Sequence, residues 1–310
     1  MIYHNGDGTT DVLFWCAAAG EEGGSHLKLT VFYDHINQAM RQTGKSFEEL
    51  ARELTAAGIS GVEMDYGELV KKPRRLCGAL KKAGLPVSCV YAFFDWGNPG
   101  SGPDYKKVVR LLARCGVPHM LAIPGFVEQG QDREAYRARM AQTLKQCCGY
   151  AAGYGITVGM EDFDDERATF ARAEELQWYL EQVPDLSCTF DTGNFLYSEE
   201  DALQAWTLLH ARVGYVHCKD REFTVKAGEE PKRTIGGRAM YSAAVGSGVI
   251  PMEELVRRIR KSGYDGVFAI EHFGSQSMYE DMLASAAWLS RAAGKTRVPD
   301  GEHREGTPGT

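Results

Sequence analysis

Four side chains of metal-binding type recur in the second half of the chain, each closing a short apolar run. They are Glu161 in TVGMEDF, Asp191 in LSCTFDTGNF, His217 in VGYVHCKD and Glu271 in GVFAIEHF. Three carboxylates and one imidazole make a hard, oxygen-rich donor set that suits Mn²⁺, with Mg²⁺, Co²⁺ and Zn²⁺ as alternatives. An ion held beside a carbonyl and its adjacent hydroxyl would acidify the intervening carbon as a Lewis acid and stabilise the enediolate. A carboxylate on one face could then take the proton, and an acid on the other could return it. Return to the same carbon from the opposite face is epimerisation, return to the neighbouring carbon interconverts aldose and ketose, and loss of a β-hydroxyl is dehydration. A single acid at a strand end is commonly a cap or an ion-pair partner. Four in succession, each inside an otherwise buried run where unpaired charge is costly, favour metal binding.

The runs that carry these residues are the last of eight strand-like segments: 27–34, 61–66, 86–94, 119–125, 156–163, 186–192, 213–220 and 266–273. All are mostly apolar, as expected of strands buried on both faces. Helical patterns separate them. SFEELARELTAAG opens with Ser46 and Glu49 as a capping box and ends on Gly58. The same cadence returns in PRRLCGALKKAG, YKKVVRLLARCG and PMEELVRRIRKSG, among others. Strand and helix alternating eight times predict a (β/α)8 TIM barrel as a single domain over residues 27–294. Residues 1–26 form an N-terminal extension, and 295–310, with His303, a flexible C-terminal tail. The run DVLFWCAAA at 11–19 is either a barrel-closing extension or the true first strand. A doubly wound sheet would more often show a glycine-rich turn after the first strand, which is absent. Barrel active sites lie at the C-terminal ends of the strands, and the four candidate ligands end strands five to eight on one arc.

Composition narrows the class. The net charge of −7 provides no general basic surface and argues against nucleic acid as a partner. Eight cysteines without a CxxC pair, and a first segment with neither a basic start nor a long apolar core, suggest reduced thiols and a cytoplasmic location. No run approaches the roughly 20 apolar residues that span a bilayer, so no membrane role is expected. Cys77, Cys89, Cys115, Cys188 and Cys218 lie in apolar runs and read as small buried hydrophobes. A homo-oligomer is compatible with all of this.

The motifs GMEDF, FDTGNF, VHCKD and VGSGVIPMEELVRRIRKSGYDGVFAIEHF resemble the xylose isomerase-like superfamily of sugar phosphate isomerases and epimerases, from about residue 27 to residue 292. The resemblance implies metal ligation by Glu161, Asp191, His217 and Glu271, with Glu161 and Glu271 also forming the acid/base pair, as in the superfamily's ketose epimerases. It implies a metal-dependent isomerase or epimerase acting through an enediolate on a small ketose, aldose or inosose. A lyase of the same superfamily, dehydrating a keto-inositol or cleaving a keto-sugar glycoside, is the alternative, as is a non-catalytic sugar-binding subunit. Lys219, two residues past His217 in an HxKD pattern, shares its face and would contact a substrate oxygen. Two positions depart from the ketose epimerase pattern. Asn194 stands where those enzymes often carry histidine, in a substrate-binding position, and Arg221 comes sooner than their substrate-binding arginine.

Several further expectations concern the mouth of the barrel. The connection from Arg221 to Gly246 is the longest without a helix, reads as a lid hinged on Gly236 and Gly237, and offers Arg238 to the substrate. Trp96 with Phe94 after the third strand, and His35 with Tyr33 after the first, would form an aromatic wall for a sugar ring. Glu63 and Asp65 share a face of the second strand with no role assigned. His272 should point outward to the helices.

Overall fold

Every barrel strand in the structure is apolar enough to need a partner on both edges, and every one finds it. The computed structural model describes residues 27–295. Seven parallel strands follow one another around the barrel: β1 (Lys28–Phe32), β2 (Ile59–Asp65), β3 (Val87–Phe93), β4 (His119–Ile123), β5 (Thr157–Met160), β6 (Ser187–Asp191) and β7 (Val213–Glu222). Two short strands, β8 (Lys232–Arg233) and β9 (Ala239–Ala243), precede β10 (Val267–Glu271), which pairs in parallel with both β7 and β1. That double pairing closes the eight-stranded barrel and removes all open edges of the parallel sheet. The run at 11–19 is not needed for closure and lies outside the described residues, as do the N-terminal extension and the tail beyond 295.

The helices form the outer ring, and their local signals hold. Ser46 Oγ accepts from the Glu49 N–H at 3.3 Å while Glu49 Oε2 accepts from the Ser46 N–H at 2.8 Å, starting the helix Phe47–Ala56. Gly58 then takes φ +89°, a value costly for any residue with a Cβ, and turns the chain into β2. Some helices start without a capping side chain. Tyr33–Thr43 begins directly at the end of β1, with Phe32 as an N-cap that makes no side-chain hydrogen bond. The first strand therefore ends at Phe32, and residues 33–35 are helical.

The expected lid loop between Arg221 and Gly246 is more ordered than its glycines and charges suggested. β7 runs on to Glu222, and β9 returns antiparallel beside it, pairing Asp220 with Ala243 and Glu222 with Tyr241; β8 flanks β9. The apolar segment AMYSA is largely buried and so needs a ladder partner, which the overhanging end of β7 supplies. Cys89, Cys188 and Cys218 are buried, whereas Cys77 and Cys115 are half-buried; none of the described cysteines is in a disulfide. Among the described residues no helix is long and apolar enough to cross a membrane.

Candidate metal centre

Strand ends bring four donor groups to one point. Asp191 ends β6, Glu271 ends β10, His217 lies within β7 and Glu161 directly follows β5. All four are buried, and one ligand atom of each lies within 4.8 Å of the others. His217 Nδ1 sits 2.8 Å from Glu161 Oε2, 3.2 Å from Glu271 Oε2 and 3.9 Å from Asp191 Oδ2. Glu161 Oε2, Asp191 Oδ2 and His217 Nδ1 are buried and make only close ionic contacts, none with good hydrogen-bond geometry. Buried carboxylates that converge on one point are costly unless cations balance them. Charge leads to the same conclusion: three buried carboxylates face one buried lysine, Lys219, whose Nζ is 3.0 Å from Asp191 Oδ2 and 2.5 Å from Glu271 Oε1. The surplus negative charge matches a divalent cation, and the donor set fits one.

The motif FDTGNF builds a bracket around this centre. Asp191 Oδ1 accepts from the N–H groups of Gly193 and Asn194 at 2.7 and 2.8 Å, leaving Oδ2 turned to the cluster. A Cβ on Gly193 would lie 2.7 Å from the Lys219 carbonyl oxygen and 2.9 Å from its Cγ, so only glycine lets the turn approach β7. Thr192 Oγ1 donates to that same carbonyl and accepts from the Lys219 N–H. Asn194 links two elements, donating from Nδ2 to the Asp162 carbonyl at 2.9 Å and accepting from Lys219 Nζ at 2.7 Å. One residue past Lys219, the carboxylate of Asp220 accepts four backbone N–H groups, from Arg221, Gly246, Gly248 and Ile250, and so ties the VGSG turn to β7.

The protein's own groups set the two outer glutamates apart. Burial pushes the Glu161 carboxyl up to about 7, reinforced by Glu271 and Asp191 and opposed by His217. Burial also acts to raise Glu271, but Lys219 and His217 outweigh it and hold this carboxyl well below the usual range. Burial works against the charge of Lys219, yet Asp191 and Glu271 keep its pKa above the ordinary value. Two carboxyls whose environments separate their pKa values are suited to divide acid and base roles.

A cavity of about 520 Å³ opens over the cluster, within the range of small-molecule sites. One wall is aromatic, made by Phe32, Tyr91, Phe93, Phe163 and Phe273. The other carries Lys219, Arg221, Lys232 and Asp164, the last paired with Arg221 at 3.5 Å and Lys232 at 3.2 Å. Of the residues singled out in the sequence, Glu161, Glu271, Lys219, Asn194 and Arg221 line this cavity.

Three others lie elsewhere. Trp96 is buried behind the wall, stacked on Phe94 with ring centroids 4.2 Å apart. The β3 alternation that faces the mouth is Tyr91 and Phe93, so Trp96, beyond the strand end, falls outside it. Arg238 is exposed, its guanidinium 3.2 Å from the Phe223 ring centroid, and it does not line the cavity. His35 is fully buried on its helix, and its Nε2 accepts from the His272 N–H at 2.7 Å, pinning the chain just after Glu271. His272 does point outward, with its Nε2 2.8 Å from Ser285 Oγ of the helix Met278–Lys295. Arg221, Asp164 and the phenylalanines of the wall had no assigned role in the sequence. The signal available for the aromatics was strand parity, which required the correct strand ends.

His35 has a consequence for acid stability. Burial, aided by His272, lowers its pKa from 6.5 to about 3. The folded value lies below the unfolded one, so the neutral ring contributes stability that is complete above pH 6.5 and is lost as pH falls toward 3. In that window the wild type should lose about 1.4 kcal/mol of unfolding free energy per pH unit more than His35→Gln. Chemical denaturation at pH 6, 5 and 4 checks this, and parallel slopes for the two proteins would rule His35 out.

Comparison with known proteins follows the same lines. The family model described as xylose isomerase-like TIM barrel matches residues 51–292. Inosose dehydratase from Lacticaseibacillus casei is 24% identical over 258 residues, covering 76% of this chain and 85% of its own. D-allulose 3-epimerase from Methylomonas sp. superposes with a TM-score of 0.63 at 14% identity, over 86% of this chain and 98% of that one. A xylose isomerase-like TIM barrel protein from Mycobacterium smegmatis, in complex with magnesium, gives a TM-score of 0.62 at 12% identity, over 88% and 97% of the two chains.

Proposed function

The chain belongs to the xylose isomerase-like TIM barrel family, and on that premise we propose that it is a divalent-metal-dependent sugar isomerase or epimerase working on a small ketose, aldose or inosose. The observation that carries the reading is the buried convergence of Glu161, Asp191, His217 and Glu271, of which Glu161 and Glu271 also line a cavity of small-molecule size. Those four residues would hold the ion, His217 through Nδ1. The oxygen-rich donor set favours Mn²⁺. When bound, the ion supplies Lewis-acid polarisation of a substrate carbonyl and its neighbouring hydroxyl.

The chain's own groups do the rest. Glu271, kept ionised beside Lys219, takes the proton from the carbon next to the carbonyl. Glu161, whose burial favours the protonated form, returns a proton from the other side. Lys219 Nζ donates to the substrate oxygen on which negative charge grows. The phenylalanine wall packs on the C–H face of the ring and keeps water from the carbanion.

A second reading, dehydration, draws on the similarity to inosose dehydratase. The first proton transfer is shared, and Lys219 would then protonate a departing hydroxyl. Incubation with Mn²⁺ and a panel of ketoses, aldoses and inososes in D₂O separates the two. The expected result is deuterium on carbon in recovered or isomerised sugar with no loss of water. An enone chromophore instead would transfer the assignment to the lyase.

A further inference from the structure

Inside the barrel, Glu63 of β2, separated from β7 by β1 and β10, is fully buried with its Oε2 3.1 Å from His217 Nε2. It touches the ring nitrogen that faces away from the ligand cluster. A carboxylate beside Nε2 requires that nitrogen to carry the proton, which leaves the lone pair on Nδ1, the atom turned to Glu161, Glu271 and Asp191. The ring cannot swing away from this arrangement. Phe32 meets it edge-on at 5.3 Å and 72°, and Tyr215 at 5.7 Å and 86°. Phe32 is also the residue that β1 places opposite Glu63 in the barrel register.

The cost of Glu63 argues for a purpose. Its other oxygen, Oε1, is buried with no hydrogen-bond partner, and a carboxylate in an apolar barrel core is expensive to keep. An aliphatic residue would fill the space without that penalty. We infer that Glu63 is a positioning residue for the metal centre: it fixes the Nε2–H form of His217 and strengthens Nδ1 as a donor, and so sets how tightly the centre holds its divalent ion. The inference rests on the proposed metal-dependent function, and concerns a residue outside its ligand set.

The test is calorimetric titration of the metal-stripped full chain with Mn²⁺, for wild type, Glu63→Gln and Glu63→Leu. Gln keeps an acceptor of the same shape without the charge, and Leu removes both. Affinity should fall roughly 10-fold in Glu63→Gln and nearer 100-fold in Glu63→Leu, the range seen when such partners of metal-bound histidines are lost. A merely structural role would not produce the second expected readout: in Co²⁺-loaded protein the paramagnetically shifted His217 Nε2–H resonance persists in wild type and is lost to solvent exchange in Glu63→Leu. Should Glu63→Leu fail to fold, the isosteric Gln variant decides by affinity alone. Variants that bind Mn²⁺ as tightly as a metal-binding wild type overturn the role of Glu63 and leave the proposed function standing. A wild type that binds neither Mn²⁺ nor Co²⁺ overturns both.

Discussion

Glu271→Gln, measured at saturating Mn²⁺ on a sugar that the wild type exchanges in D₂O, is expected to turn over about 10² to 10⁴ times more slowly. The carboxamide cannot accept the proton, and its N–H₂ would face the Lys219 ammonium that now sits 2.5 Å from a carboxylate oxygen. Metal affinity falls as well, since a neutral amide is a weaker donor, so the comparison must be made with the ion saturating. KM should change less than kcat, because the lost interaction acts on the proton in flight rather than on the bound ring. A kcat within tenfold of wild type under those conditions would remove Glu271 as the base. Glu161→Gln should show a comparable loss if it serves as the proton donor, and both variants should retain the folded barrel.

Asp220→Ala is the substitution expected to cost most in stability. Its carboxylate gathers four backbone N–H groups at 2.8 to 3.2 Å, and all four lose a charged acceptor at once. Even with water reaching some of them, the loss should be at least about 4 kcal/mol, with the thermal midpoint falling on the order of 10 °C. Gly248 stands within the same clamp: a Cβ there would be 2.2 Å from the Arg221 carbonyl oxygen and 2.3 Å from Asp220 Oδ1. Gly248→Ala should therefore destabilise too, and the double variant should lose less than the sum of the two because both break one turn. Thermal unfolding followed by circular dichroism checks this. A midpoint for Asp220→Ala within about 3 °C of wild type would show that the turn does not depend on the carboxylate.

Much of this molecule is legible in its sequence. Strands buried on both faces announce themselves as apolar runs, so the eight barrel strands, their order and the four candidate ligands at their ends are visible in the sequence. What failed was local geometry near strand ends. β1 stops at Phe32 and passes into a helix with no capping side chain, so nothing in the letters marks the change, and His35 was placed on a strand face it does not share. β3 stops at Phe93, which put Trp96 behind the wall instead of on it. Glu63 was visible as an acid in an apolar strand, but its contact with His217 spans 154 positions and depends on closure of the barrel. The ribbon of β8 and β9 was hidden by its short strands, glycines and charges, features shared with solvated loops.

The mouth of the barrel is divided between two inheritances. The donor groups and Lys219 come from β5, β6, β7 and β10, whereas Phe32, Tyr91, Phe93, Leu121 and Ile123 come from β1, β3 and β4. Apart from Phe32, which packs against the His217 ring, substitutions on the second group can reshape what fits in the cavity without touching the donor cluster. Such a chain can drift between substrates by small steps, and a library confined to Tyr91, Phe93, Leu121 and Ile123 is the economical place to start redirecting it.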